Sequence, residues 1–77
     1  MLGFHAYQPV DGLWWRNHAC GNLLISICVV KLYECSRCKK IEENIIEEYP
    51  KLAYNMSSVE TYLENNGICH ISKFYVK

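Results

Sequence analysis

From Leu23 to Tyr33 apolar residues occupy both alternating positions, and the run is rich in Ile and Val. A segment apolar on both sides reads as a buried central strand. Before it, Gly3 to Arg16 is aromatic and extended, with Pro9 and the Asp11-Gly12 pair marking a turn or bulge. Asn17 to Asn22 connects the two, and Gly21-Asn22 suits a tight turn. After it, Ile41, Ile45, Ile46 and Tyr49 fall at helical spacing among Glu42, Glu43, Glu47 and Glu48, which predicts an amphipathic helix over Lys39 to Tyr49 stopped by Pro50. Lys51 to Met56 fits a loop or a short strand. Ser57-x-x-Glu60 has the form of a capping box, with Val59, Tyr62 and Leu63 on one face of a second helix. Asn65-Asn66-Gly67 ends that helix, and Ile68 to Val76 reads as a last strand. The expected fold is α+β: an N-terminal antiparallel β-hairpin or small sheet, two short helices and a C-terminal strand, in a single domain over residues 1–77.

Cys35-Ser36-Arg37-Cys38, followed by Lys39-Lys40, lies at the junction between the apolar run and the expected helix. Two thiols at this spacing can hold a metal or cycle between dithiol and disulfide. Zinc takes about four N or S ligands, and the knuckle offers two. The other candidates are His5, His18, Cys20, Cys69 and His70. If residues 3–16 and 23–34 pair as one hairpin turning near residues 18–21, paired positions sum to about 39–40. His5 then lies opposite the knuckle, while His18 and Cys20 lie at the far end. The favoured metal set is therefore Cys35, Cys38 and His5, with Cys69 or His70 as the fourth ligand. His18 and Cys20 are the alternative pair, should the chain fold back between them and the knuckle.

The charges sum to zero but are unevenly spread. Residues 1–40 carry Arg16, Lys31, Arg37, Lys39 and Lys40 against Asp11 and Glu34; residues 41–66 carry six Glu against Lys51 alone. Arg37, Lys39 and Lys40 form a small basic footprint, weak for a nucleic-acid binder. Five cysteines are an odd count, unlike a secreted disulfide framework. The N-terminal residues lack the pattern of a signal peptide, and the run from Leu23 to Leu32 is too short for a bilayer and contains Lys31. The expectation is a cytoplasmic protein with no membrane role. A chain of 77 residues has a marginal core, which a metal, a partner or a second copy in a homo-oligomer would support.

Gly3-Phe4-His5, the Trp14-Trp15 pair and Leu32-Tyr33-Glu34-Cys35-Ser36-Arg37-Cys38-Lys39-Lys40 resemble short phage-encoded zinc-ribbon-like proteins over residues 3–40. The resemblance implies zinc, phage origin, and an accessory role in which a host macromolecule is modulated or inhibited in the host cytosol. In this chain Lys39 stands where that pattern has Gly, and no cysteine precedes His5. Residues 29–74 also resemble the thioredoxin family: a strand, Cys-x2-Cys opening a helix, then Lys-x-Ile and Tyr-Pro. That resemblance implies a dithiol–disulfide oxidoreductase with Cys35 attacking and Cys38 resolving. Ser36-Arg37 replaces the family's Gly-Pro, and Ser72 replaces its cis-proline.

Binding through protein–protein contact is favoured over catalysis. Among adjacent residues of a strand one faces inward and one outward, so of Trp14 and Trp15 one belongs to the core. The other either packs beneath a helix or anchors a host or phage protein, with Glu42, Glu43 and Glu47 completing a partner surface. A nucleic-acid-binding zinc ribbon and the thioredoxin-like enzyme are the alternatives. No nucleophile elbow, His-Glu-x-x-His, phosphate loop or dinucleotide fingerprint occurs in the chain. Cys28, among Ile and Val, reads as a small core hydrophobe.

Overall fold

A computed structural model describes residues 6–76. The chain order is β1 (Tyr7–Pro9), β2 (Trp14–Cys20), β3 (Leu23–Cys35), β4 (Ile41–Pro50), α1 (Met56–Asn65), β5 (Cys69–His70) and α2 (Ser72–Tyr75). The expected α+β class holds, with five strands in one sheet and two short helices.

β3 is the central strand. β1 and β2 run antiparallel along one of its edges, β4 runs antiparallel along the other, and β5 adds to β2 in parallel. Its apolar residues are needed on both sides because both faces are covered. On one face Ile27 and Val29 meet Trp15, Val59 and Leu63, with Leu13, Tyr49, Met56 and Ile68 around them. On the other, Cys28, Val30 and Leu32 meet Ile71, with Val10, Trp14, Ile41 and Phe74. Burying one such aliphatic side chain contributes about 1.5–3 kcal/mol. Cys28 is a core residue, as expected. Ser26 is the one buried polar residue of β3, and its hydroxyl donates to Glu48 Oε2 at 2.6 Å.

The β2–β3 turn falls at Gly21-Asn22, as expected, with Gly21 at φ +62°. Positive φ at only the first central residue is the II′ arrangement that suits the twist of a hairpin. This turn pairs Cys20 with Leu23 and shifts the register: pairs sum to 42 along β1 (Tyr7 with Cys35) and 44 along most of β2 (Trp14 with Val30), not 39–40. The difference between the two is taken up by the Asp11-Gly12 irregularity, with Gly12 at φ +83°.

Residues 41–50 correct the sequence reading most. They form β4, not a helix. The spacing of Ile41, Ile45, Ile46 and Tyr49 is equally that of a strand with one extra residue. The ladder to β3 slips between Val29 and Val30, leaving Ile46 unpaired between Ile45 and Glu47. On either side of that bulge Ile41 packs on one core cluster and Tyr49 on the other. The long edge of β3 carries backbone groups that must be paired once its side chains are buried, and β4 supplies the partners. Tertiary pairing here outweighs local helical periodicity.

The second helix is α1, but its N-cap is Asn55 rather than Ser57: Asn55 Oδ1 accepts from the Ser58 N–H at 3.0 Å. Val59 and Leu63 are buried beneath it, whereas Tyr62 faces outward. Gly67 stops it at φ +80°. Lys51 to Asn55 is a loop. The expected last strand is cut to Cys69–His70, because the chain turns at Ile71 into α2. Ile71 N–H donates to the Trp15 carbonyl at 2.8 Å, and α2 folds over the sheet face opposite to α1.

Two substitutions test this packing by urea unfolding. Leu63→Ala is expected to cost about 2–5 kcal/mol, since Leu63 is fully buried against the sheet. Asn55→Ala is expected to cost about 1 kcal/mol through the lost cap. If Leu63→Ala left the midpoint unchanged, α1 would not lie on this face.

Candidate functional site

The molecule is elongated, with extents of 45 × 27 × 21 Å. The Cys-x2-Cys turn lies at one end of β3 and the Gly21-Asn22 turn at the other.

Cys35 is the last residue of β3, and Ser36 to Lys40 form the connection to β4. The loop is closed by Cys35 N–H to the Lys40 carbonyl (2.9 Å) and Lys39 N–H to the Cys35 carbonyl (2.9 Å). Ser36 N–H donates to the Ala6 carbonyl at 3.1 Å, which ties the turn to the chain before β1. Arg37 N–H points at Cys35 Sγ at 3.4 Å, a contact that stabilises negative charge on sulfur. Lys39 has φ +65°, the left-handed conformation that glycine adopts most readily. Cys35 is buried and Cys38 exposed. Tyr7, paired with Cys35 across the ladder, has a pKa raised by its surroundings, first by desolvation and then by Glu42, Cys35 and Cys38.

The other ligand candidates do not join this turn. His5 lies outside the described residues. Cys69 pairs with Trp14, which pairs with Val30, so it is displaced roughly 16 Å along β3 from Cys35. His70 pairs with Trp15, one step further away. Its ring stands at 88° to Trp15 with centroids 4.4 Å apart. Its Nδ1 accepts from the Ser72 N–H at 3.0 Å and lies 2.9 Å from the Ser72 hydroxyl. His70 thus supports the start of α2. His18 faces Ser26 and Cys20 faces Leu23, about 30–40 Å from the knuckle. Among the described residues, no three His, Cys, Asp or Glu side chains are grouped to hold a metal.

Of the two readings of the tryptophan pair, packing beneath a helix is the one found. Trp15 is buried under α1, and its Nε1 donates to Glu64 Oε2 at 3.4 Å. Trp14 packs beneath α2 against Phe74, with ring centroids 5.5 Å apart. Both indoles contribute to the two cores; Trp14 Nε1 is buried with no hydrogen-bond partner among the described residues. The glutamates of β4 are exposed, but each also reaches a neighbour. Glu43 Oε1 is 2.8 Å from Arg16 Nε across the sheet, Glu42 meets Lys40 and the Tyr7 hydroxyl, and Glu47 Oε1 accepts from the Tyr49 hydroxyl at 2.9 Å. Along an outer strand such charges also discourage pairing with other chains.

Two features went unread in the sequence. One is an apolar end. Leu23, Leu24, Ile25, Pro50, Lys51 and Leu52 line a groove of about 290 Å³, with Leu52 fully exposed and Leu23 61% exposed. The other is a cleft of about 340 Å³ between β4 and α1, lined by Tyr49, Tyr54, Tyr62, Asn55, Ser58 and Val59. Tyr49 and Tyr54 meet at 84° with centroids 5.2 Å apart. The signal is three tyrosines within fourteen residues, obscured because the helical spacing around Tyr49 separates it from Tyr54 and Tyr62. Its hydrogen bond to Glu47, with burial second, pushes the Tyr49 pKa up to about 12.

No protein-family model, curated protein or solved structure matches the chain. Among the described residues, no helix is long and apolar enough to cross a membrane.

Lys39→Gly is expected to stabilise the protein by about 0.5–1 kcal/mol, read by thermal or urea unfolding, by relieving the left-handed lysine. Tyr49 should give a late step, near pH 12, in an ultraviolet absorbance titration. Because its folded pKa lies above the ordinary value of 10.0, its stabilising contribution is complete below pH 10 and is lost as pH rises through about 12. Glu47→Gln should move that late step downward; an unchanged titration would contradict the Glu47 contact.

Proposed function

We propose that this chain is a small interaction protein. Its Cys35–Cys38 turn is a metal clasp, and its opposite, apolar end docks on a partner protein. The exposed Leu52 carries the reading: it stands with Leu23, Ile25 and Pro50 around one groove. Leucines left in water at one end of a small sheet are a cost unless a partner covers them. Of the β4 glutamates, Glu47 and Glu48 lie on the half of the strand nearer this end and Glu42 and Glu43 on the half nearer the Cys-x2-Cys turn, so the fitting partner is an apolar segment with basic residues on its β4 side. In keeping with the phage resemblance, its role would be that of an accessory protein that modulates or inhibits a host macromolecule by occupying its surface.

The clasp uses the thiolates of Cys35 and Cys38, with His5 as third ligand. The Arg37 N–H beside Cys35 Sγ and the left-handed Lys39 support a knuckle of the kind that holds zinc. Zinc would cross-link the turn to the chain before β1 and add stability to a domain with a small core. The redox reading loses its main support, since β4 rather than a helix follows Cys38 and no helix N-terminus activates Cys35. The nucleic-acid reading keeps one observation, the basic Arg37, Lys39 and Lys40 in a single hairpin turn.

Elemental analysis should find about one equivalent of zinc. Cobalt substitution should give a thiolate-to-metal absorption band that Cys35→Ser and Cys38→Ser both reduce; metal-free protein after refolding with zinc would contradict the clasp. Immobilised protein should retain a host protein that Leu52→Glu releases, with the far-ultraviolet circular dichroism unchanged. Equal retention by Leu52→Glu would contradict docking at this end, and steeply salt-dependent binding of RNA or DNA would favour the basic turn instead.

A further inference from the structure

We propose that the tyrosine cleft between β4 and α1 binds a quaternary ammonium group. Three aromatic rings line it, and two of them, Tyr49 and Tyr54, form walls at right angles. Tyr62 completes the lining from α1, with Val59 among the other lining residues. Tyr54 and Tyr62 are 49% and 57% exposed, so their rings are open to a ligand. Electron-rich ring faces attract a cation whose charge is spread over methyl groups, because such a cation gives up little hydration on entry. At about 340 Å³ the cleft has room for a trimethylammonium head.

Charge favours the same sign of ligand. The Glu47 carboxylate is 2.9 Å from the Tyr49 hydroxyl, and residues 41–66, which build both walls, carry six Glu against Lys51 alone. The competing influence is the N-terminus of α1, whose free N–H groups would attract an anion. Here the Asn55 side chain already takes one of them: the Ser58 N–H donates to its Oδ1 at 3.0 Å. The aromatic rings and the acidic surroundings therefore decide the ligand. The inference is independent of the apolar end and of the metal clasp.

Nuclear magnetic resonance titration of the intact chain tests it with three probes: choline, free Nε-trimethyl-lysine and 3,3-dimethyl-1-butanol, the neutral isostere of choline. At least one cation should shift the signals of Tyr49, Tyr54 and Tyr62 saturably, and bind at least ~10-fold more tightly than the isostere. The tighter of the two cations identifies the source of the group, a small-molecule head or a modified protein side chain. Tyr54→Ala and Tyr62→Ala should each weaken binding several-fold while Tyr62→Phe retains it, since the ring rather than the hydroxyl holds the ligand. Equal binding of the isostere would reduce the cleft to an apolar pocket and overturn the proposal, as would the absence of saturable shifts with both cations.

Discussion

A single long strand constrains everything else. β3 is paired along both edges and buried on both faces, so no neighbouring element is free to choose its own form. Its apolar side chains require a cover above and below, and its backbone requires a strand on each side. α1 and Trp15 supply one cover; α2, Trp14 and Ile71 supply the other. β2 and β4 supply the strands. The small size of the domain sharpens the demand, since a chain of this length has little other apolar surface to bury.

That constraint explains which parts were legible from residues alone. The central strand was, because no other element explains Ile and Val on both alternating sides. So were the Gly21-Asn22 turn and the end of α1 at Gly67, because a left-handed backbone position has few candidate residues. β4 was not. Ile41, Ile45, Ile46 and Tyr49 satisfy a helix locally, and only the partner edge of β3, together with a bulge at Ile46, makes them a strand. The last strand was shortened for a similar reason. Ile71 is drawn into the second core cluster, and the chain turns there into α2.

The candidate site was legible in part. The Cys-x2-Cys turn and the tie of the N-terminal segment to it follow from pairing β1 against the end of β3. Cys69 and His70 could not be placed, because their strand attaches in parallel to β2 rather than beside the knuckle. The two tryptophans were read correctly as facing opposite ways, but a helix on each face leaves neither as an anchor. The exposed apolar groups lie instead where loops meet at the far end, around Leu52, and in the tyrosine cleft. Both depend on β4 being extended: as a strand it carries Tyr49 alongside α1 and delivers Pro50 beside Ser26 near the hairpin turn.

The conformation of residues 41–50 is therefore the point on which the Cys-x2-Cys turn, apolar end and aromatic cleft all depend. Backbone chemical shifts and cross-strand nuclear Overhauser effects measure it directly. The account predicts strand shifts from Ile41 to Pro50, interrupted at Ile46, with contacts from Val30 to Ile45 and from Ile27 to Tyr49. Helical shifts over this segment, with contacts between residues three and four apart, would contradict it.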